Sequence, residues 1–418
     1  MPWREDVLRK LKETRQASAE ISLLSKERKN NSLQVLARLL REKMPAILNA
    51  NRADLDKASK SGYSPAFMDR LTLTPERVEK MAVACQQVSS LPDPVGQIIW
   101  ETTRPNGLRI QRLRVPIGVI AIIYESRPDV TVEAAILCLK AGNAVVLRGG
   151  KEARFSNTML VELIKQALRE TEITEKGINL IAEGGRAAVS FLLQQTDLVD
   201  LVIPRGGESL INTVVRSSRI PVVKHYKGVC HTYVDAHADL RMAVEVTFNA
   251  KVQRPGTCNA TETLLVHRDI ASSFLPLMAE KFQAAGVEMR GCPVTCALVP
   301  QAKPAAETDW GKEFLALIIA IKVVNSLGEA IEHISRYGTK HSDAIITEDS
   351  AAASEFLQKV DSACVYHNAS TRFTDGGQFG LGAEIGISTD KIHARGPMGL
   401  EELTTYKYVI HGQGQIRS

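Results

Sequence analysis

Short uninterrupted apolar runs alternate with helical stretches through the middle of the chain, and this alternation constrains the fold most strongly. Ile117 to Tyr124 and Ala144 to Leu147 have the pattern of strands covered on both faces. Between them, Val130 to Lys140 is helix-like and ends at a glycine stop, Ala141 to Asn143. The alternation continues at Leu198 to Ile203. It predicts βαβ units, and therefore an α/β fold with a mainly parallel sheet between helices.

The rest of the chain divides into further predicted elements. The first hundred residues are predicted to be helical, with Ser32 as one N-cap and Thr74 to Glu76 as another helix start. A second alternating region follows. Its predicted strands are Thr261 to Val266, Thr295 to Val299, Leu315 to Val324 and Ala344 to Thr347, and its predicted helices are Ala271 to Ala285 and Leu327 to Arg336.

Length and composition exclude several classes of protein. The chain has 418 residues, 44% hydrophobic and 24% charged, which suits a large core in two or three domains of roughly 100–200 residues. The net charge of +5 is not gathered in a basic block, so we expect no dedicated nucleic-acid binding. No apolar run approaches the ~18 residues of a membrane helix and no signal segment is visible, so we expect no membrane association. Seven scattered cysteines favour free thiols and a cytoplasmic location.

Cys258 is the candidate nucleophile among the seven cysteines. It follows Arg254, Pro255 and Gly256, so a turn places a thiol near positive charge just before an apolar strand. The residues alone leave open whether it is a nucleophile or a buried loop cysteine. Cys230 is its rival, but its neighbour His231 points to the opposite face of a strand. Cys292 and Cys296 have no partner pair, so we expect no metal site there.

Two glycine-containing loops follow predicted strands and are candidates for binding phosphate. Arg205, Gly206, Gly207 and Glu208 follow Leu198 to Ile203. In the same way, Gly149-Gly150-Lys151 follows the run that ends at Leu147. A strand, glycines and a helix start expose backbone N–H groups to an anion. Each loop is equally compatible with an ordinary turn between strand and helix, but two at one sheet edge favour a nucleotide crevice.

Taken together, these motifs resemble the aldehyde dehydrogenase superfamily over nearly the whole chain. The segments that carry the resemblance are Val115 to Val119, Glu125 to Asp129, Leu147 to Ala153, Ile203 to Gly206, Gln253 to Thr263, Val324 to Asp343 and Gly380 to Glu384. The resemblance implies a Rossmann-type cofactor domain, an α/β catalytic domain and a small oligomerisation β-element. The implied bounds are residues 1–104 and 116–227, residues 228–395, and residues 105–115 with 396–418.

The resemblance also implies roles for particular residues. Cys258 would accept the acyl group, and its own N–H would hold the oxyanion. Ser126 stands where relatives carry an asparagine that completes the oxyanion hole, and His225 stands where hydrolytic relatives carry a water-activating glutamate. The implied cofactor-binding residues are Arg148, Lys151, Arg205, Gly206, Gly207, Glu208 and Glu313, with Lys151 favouring the 2′-phosphate of NADP(H). The substrate-binding candidates are Arg127, Arg372 and Phe379.

The implied reaction is the NADPH-dependent reduction of L-glutamyl 5-phosphate to L-glutamate 5-semialdehyde through a cysteine thioester, the second step of proline biosynthesis from glutamate. Two alternatives remain: a phosphate-independent dehydrogenase that oxidises a small aldehyde, and a non-catalytic scaffold on the same fold. The expected partners are the small acyl phosphate substrate, glutamate 5-kinase and further copies of the chain in a dimer or larger oligomer. Alternating residues at Leu108 to Leu113 and Thr404 to Ile410 predict strands, which the resemblance joins between two copies.

Overall fold

The computed structural model describes residues 2–224 and 227–417. It divides into two units, the first formed by Met1–Lys224, Gly380–Gly386 and Met398–Ser418 and the second by His225–Phe379 and Ile387–Pro397. Both units are built on parallel sheets with connecting helices. The α/β class predicted from the alternating pattern is therefore confirmed. No helix of the described part combines the length and apolarity needed to cross a membrane.

The first unit begins with five helices and continues into a four-stranded parallel sheet. Its helices are α1 (Pro2–Ile21), α2 (Lys26–Glu42), α3 (Met44–Ser59), α4 (Pro65–Leu71), α5 (Pro75–Ser90), α6 (Asp129–Lys140), α7 (Arg154–Glu170), α8 (Gly185–Leu192) and α9 (Glu208–Ser217). Its first six strands are β1 (Ile98–Thr103), β2 (Arg109–Pro116), β3 (Val119–Tyr124), β4 (Ala144–Arg148), β5 (Ile178–Leu180) and β6 (Leu201–Arg205). The sheet has the order β5-β4-β3-β6. Every residue of β3 and β4 is buried, as their continuous apolar runs predict.

The second unit contains a seven-stranded parallel sheet. Its helices are α10 (Leu240–Val252), α11 (Arg268–Ala284), α12 (Pro293–Leu298), α13 (Leu327–Tyr337) and α14 (Ser350–Lys359). Its strands are β7 (Cys230–Val234), β8 (Thr261–His267), β9 (Glu288–Gly291), β10 (Lys303–Pro304), β11 (Ile318–Val324), β12 (Ser342–Ile346), β13 (Cys364–His367), β14 (Ile387–Ser388) and β15 (Gly396–Pro397). The sheet order is β10-β9-β11-β8-β7-β12-β13, while β14 and β15 form a separate pair. The central strands β7 and β8 are parallel, and both begin just after segments of the candidate site.

The last strand, β16 (Thr404–His411), joins a three-stranded antiparallel sheet of order β1-β2-β16 in the first unit. Its residues pair with β2 of the same chain from Thr404 opposite Pro116 to His411 opposite Arg109. The expectation that these two strands join between two copies of the chain is therefore wrong. The tail can reach β2 of its own chain because it returns to the first unit at Met398.

Two local predictions were also wrong. Ser32 does not cap a helix: α2 begins at Lys26 with Ser25 as its cap, and the Ser32 hydroxyl donates to the Lys29 carbonyl within the helix. The polar residues after Ser25 lie in the first turns of α2 and concealed its start. Thr295 to Val299 is not a strand, since Pro293 begins the short helix α12 there. By contrast, Thr74 caps α5 as predicted and accepts the N–H of Arg77.

His333 on α13 gives the second unit a predictable sensitivity to acid. Its ring packs 4.6 Å from the Tyr337 ring and 5.6 Å from those of Trp310 and His231, measured between centroids. Neither ring nitrogen has a hydrogen-bond partner among the described residues. Burial, reinforced by nearby positive charge, lowers the pKa of His333 to about 3. The native ring therefore stays neutral at pH values where an unfolded histidine takes up a proton.

We predict that lowering the pH from about 7.5 to about 5.5 lowers the free energy of unfolding, because the buried His333 ring cannot take up a proton. The unfolded histidine, with a pKa of about 6.5, binds a proton that the native ring does not, so the free energy of unfolding falls by about 1.4 kcal/mol. Urea unfolding at both pH values should show this loss in the wild type and a smaller loss in His333→Phe. The exposed His411→Gln variant is the control. An equal loss in His333→Phe and the wild type would contradict this assignment.

Candidate active site

Cys258 lies in a tight turn between α10 and β8. The Thr257 hydroxyl bonds to the Arg254 carbonyl and to the Asn259 side chain, both at 2.9 Å, and the Ala260 N–H returns to the Thr257 carbonyl at 3.1 Å. The Cys258 residue is half-buried, whereas Cys85 and Cys138 are fully buried. The turn therefore presents this thiol at a partly accessible position, as nucleophilic chemistry requires.

Gly228 lies directly against the backbone of Cys258. A Cβ atom at position 228 would stand 1.7 Å from the Cys258 carbonyl oxygen and 2.8 Å from its Cα, so only glycine fits. The carbonyl oxygen of Cys258 also accepts a hydrogen bond from the Cys230 thiol at 3.1 Å. The segment that leads into β7 thus fixes the peptide group between Cys258 and Asn259.

Asn259 and Arg372 anchor the other side of the turn. The Asn259 amide donates to the Thr374 carbonyl at 2.8 Å, and the Thr371 hydroxyl donates to the Asn259 carbonyl at 2.7 Å. The Arg372 guanidinium donates to the side chains of Asn259 and Gln253. Burial and the charge of Arg254 lower the pKa of Arg372, while Asp375 and the Cys258 and Cys230 thiols act in the opposite direction. A cation is therefore bonded to Asn259, the residue that directly follows the nucleophile.

Glu313 connects the same region to the loop that precedes β11. Its Oε1 atom accepts the Gly228 N–H at 2.7 Å, and the nearby Gly311 carbonyl accepts the Lys227 ammonium at 3.1 Å. Cys258, Arg372 and Glu313, which the sequence separates by up to 114 positions (372 minus 258), thus meet in the second unit through Gly228 and Asn259. Phe379 is 46% exposed, and its N–H donates to the Asp375 carbonyl.

All the predicted cofactor-binding residues except Glu313 lie in the first unit, at or just after the carboxyl ends of β4 and β6, and Ser126 follows β3 in the same unit. Ser126 is buried with the unusual φ of 37°, and its N–H donates to Glu152 Oε1 at 3.0 Å. Gly207 precedes α9, and its N–H donates to Glu125 Oε2 at 2.9 Å. A Cβ at Gly206 would stand 2.5 Å from the same carboxylate oxygen. The loop after β6 therefore already binds an anionic oxygen, which is the property expected of a phosphate-binding loop.

The remaining predicted residues differ in their surroundings. Arg148 is buried and donates to the carbonyl oxygens of Gly149, Ile181 and Gly185, and burial lowers its pKa. Lys151 is exposed just beyond β4. Arg127 and Glu208 are exposed, Arg205 is partly exposed at the end of β6, and His225 lies outside the described residues. Arg148 therefore connects the loop after β4 to the loop between β5 and α8.

The sequence reasoning missed three residues of the site: Gly228, Lys251 and Glu262. Gly228 gave no local signal, because its role depends on a backbone contact across 30 positions (258 minus 228). Lys251 and Glu262 form an ion pair at 2.5 Å, and both side chains are 0% exposed. A charged residue inside a predicted buried strand, as at Glu262, was the available signal.

Among the described residues, no group of three side chains is arranged to hold a metal ion.

Comparison with known proteins defines the class of protein. A model of the aldehyde dehydrogenase family matches residues 3–290. The chain belongs to the aldehyde dehydrogenase family. An acetylating aldehyde dehydrogenase from Geobacillus thermoglucosidasius shares the fold, with a TM-score of 0.71 at 16% identity over 100% of this chain and 98% of its own.

The similarity extends to one branch of that family. A γ-glutamyl phosphate reductase of Carboxydothermus hydrogenoformans is 54% identical over 99% of this chain and 100% of its own length. The crystal structure of the γ-glutamyl phosphate reductase from Thermotoga maritima has a TM-score of 0.96 and 50% identity, covering 99% of this chain and 100% of that one. Within the family, the chain therefore groups with the γ-glutamyl phosphate reductases.

Proposed function

We propose that this chain reduces L-glutamyl 5-phosphate to L-glutamate 5-semialdehyde and phosphate, with NADPH as the reductant and Cys258 as the nucleophile. The turn that presents the half-buried Cys258 thiol beside Arg372 carries the proposal. The names of the relatives that match the full chain supply the substrate.

The first chemical step makes a thioester. The Cys258 thiolate attacks the acyl carbon of the substrate, a C–S bond forms, and the C–O bond to phosphate breaks with its electron pair leaving on phosphate. The developing oxyanion is held by the N–H of Cys258, and Ser126 is the proposed second donor. The Gly228 contact favours this step, because the nucleophile's backbone needs little reorganisation when its N–H is used.

The second step releases the aldehyde. NADPH, when bound, supplies the hydride that reduces the thioester carbonyl. The product of this reduction is a thiohemiacetal oxyanion on Cys258. Its oxygen re-forms the C=O bond, the C–S bond breaks with its electron pair leaving on the Cys258 sulfur as the thiolate, and the semialdehyde departs. At the position where hydrolytic relatives carry a water-activating glutamate, we place His225 of this chain. A neutral or protonated histidine there avoids the repulsion that a carboxylate would exert on a phosphate dianion.

The residues of the first unit fit a nicotinamide dinucleotide, the cofactor class of the family. The loop at Gly206 and Gly207 accommodates an anionic oxygen, since the Glu125 carboxylate bonds to the Gly207 N–H. We assign the pyrophosphate to this loop with Glu208 and Arg205 beside it, the 2′-phosphate to Lys151, and the nicotinamide ribose to Glu313. A glyceraldehyde-3-phosphate dehydrogenase of the same fold, from Methanocaldococcus jannaschii, was solved with NADP, with a TM-score of 0.70 at 15% identity over 98% of this chain and 95% of its own.

The charged head of the substrate needs partners of its own. We assign its α-carboxylate to Arg127 or Arg372 and its carbon chain to Phe379. Arg372 is bonded to the nucleophile turn, where it donates to the neutral amide side chains of Asn259 and Gln253, and Asp375 is the carboxylate whose charge acts on it. A substrate carboxylate would add a charge-assisted hydrogen bond to this guanidinium.

We also propose that the chain forms a dimer or larger oligomer through the sheet β1-β2-β16. Tyr406, Tyr408 and Ile410 lie two residues apart on one face of β16, and each is about half exposed. On β1, Trp100 is 41% exposed, and the Arg112 guanidinium stacks between the Trp100 and Tyr406 rings. An apolar, aromatic sheet face of this kind suits a second copy of the chain.

We predict that Cys258→Ser abolishes turnover without weakening NADPH binding. A serine hydroxyl is a far weaker nucleophile and leaving group than a thiolate, so activity should fall below about 1% of wild type. Turnover is measured as semialdehyde oxidation with NADP and phosphate, and binding by NADPH fluorescence. Cys292→Ser is the matched control, since Cys292 is also partly exposed.

Two outcomes would overturn the proposal. Retention of more than a few per cent activity in Cys258→Ser would remove this cysteine from the mechanism. Wild-type turnover that proceeds equally well without phosphate would favour the phosphate-independent dehydrogenase instead.

We predict that Lys151→Glu shifts cofactor preference toward NADH. A carboxylate repels the 2′-phosphate and suits a ribose hydroxyl, so the ratio of kcat/KM for NADPH over NADH should fall by at least about 10-fold. Lys176→Glu, an exposed lysine elsewhere in the first unit, is the control. An unchanged ratio in Lys151→Glu would place the 2′-phosphate elsewhere.

A further inference from the structure

Lys251 and Glu262 close the base of the turn that carries the nucleophile. Lys251 is the penultimate residue of α10 and Glu262 is the second residue of β8, so Cys258 lies on the segment between them. The Lys251 Nζ and Glu262 Oε2 atoms are 2.5 Å apart, and neither side chain is exposed. Two charges withdrawn from water at this place are costly unless both are well partnered.

The second oxygen of Glu262 reaches a different segment. Its Oε1 atom accepts the Leu315 N–H at 3.1 Å. Leu315 has a φ of 52°, which is a strained value for a residue with a side chain, so an outside contact is needed to hold it. The Leu315 carbonyl lies 3.9 Å from the position of a Cβ on Gly256, within the nucleophile turn. The Leu315 backbone thus lies between the ion pair and the turn.

Glu313, two residues before Leu315, bonds to the Gly228 N–H, and Gly228 in turn packs on the Cys258 backbone. Burial raises the pKa of Glu262 to about 7 against the pull of Lys251, and the charge of Glu313 acts in the same direction as burial. The two glutamates are therefore near neighbours. A continuous set of contacts runs from Lys251 through Glu262, Leu315 and Glu313 to the nucleophile.

We propose that Lys251 and Glu262 are positioning residues that set the Glu313–Leu315 segment against the nucleophile turn, so that the ribose contact and the thiol keep one fixed spacing. We call Lys251, Glu262 and the Leu315 N–H the clasp. The proposal rests on the proposed function, since it assigns Glu313 to the cofactor. The working contact is the hydrogen bond from the Leu315 N–H to Glu262 Oε1, and the Lys251 ammonium on Oε2 holds the Glu262 side chain in the orientation that this bond needs.

Two double variants separate this role from simple stability. Lys251→Met/Glu262→Gln removes both charges but keeps a side-chain oxygen for the Leu315 N–H. Lys251→Met/Glu262→Leu removes both charges and that oxygen, at similar side-chain volume. The clasp predicts that the Leu variant has a KM for NADPH at least about 10-fold higher than the Gln variant, together with a lower kcat, because the Leu315 N–H has lost its acceptor.

Thermal unfolding checks that both variants fold, and the rate of Cys258 alkylation by iodoacetamide reports on the turn itself. Equal KM and kcat in the two folded variants would overturn the clasp and leave the pair a purely structural one. If the Leu variant does not fold, the single variant Glu262→Gln is the test. Gln has one side-chain oxygen, and the buried Lys251 ammonium is the stronger donor to it, so the Leu315 N–H loses its acceptor and the KM for NADPH must rise. Its failure to do so would equally overturn the proposal.

Failure of the clasp and failure of the proposed function are distinguishable. Loss of activity in Cys258→Ser with identical kinetics in the two double variants rejects the clasp alone. Full activity in Cys258→Ser rejects the function, whatever the double variants show.

Discussion

The close approach of the Gly228 backbone to Cys258 is the contact on which the rest of the site depends. It puts the strand β7 beside the turn between α10 and β8 at a distance that no larger residue allows. Because the contact is between backbones, it fixes the peptide groups of the turn rather than a side-chain rotamer. A backbone held in this way can present its N–H groups to a developing oxyanion with little reorganisation, which is the main source of electrostatic catalysis in acyl transfer.

The turn is surrounded by polar groups that would be costly if left unpartnered. Asn259, Thr371 and Thr374 satisfy one another's polar atoms, and Lys251 with Glu262 does the same for a pair of charges. Removing one member of a buried pair costs about 3–5 kcal/mol, while replacing both by apolar groups can be neutral. The second unit therefore keeps buried charge at a place where an apolar core would serve stability equally well. Orientation of the neighbouring segment explains that choice better than stability does.

The architecture could be predicted from the sequence because strands covered on both faces consist of continuous apolar residues, as β3 and β4 do. It also pointed to Cys258, because Pro255 and Gly256 define a turn and Arg254 supplies charge. It could not predict Gly228 or the Leu315 contact, since each depends on segments brought together by the sheet order. Short elements were ambiguous for another reason. Five residues such as Thr295 to Val299 fit both the helical period of 3.6 residues and the strand period of 2, and only Pro293 at the start of α12 marks the segment as a helix.

A trapped acyl-enzyme tests the central assignment most directly. The enzyme is incubated with glutamate 5-semialdehyde and NADP in the absence of phosphate, quenched in acid, digested and analysed by mass spectrometry. The account predicts a glutamyl group in thioester linkage on the peptide that contains Cys258, and its disappearance when phosphate is added before the quench. A glutamyl group on any other residue, or no acyl-enzyme while NADPH is still formed, would contradict it.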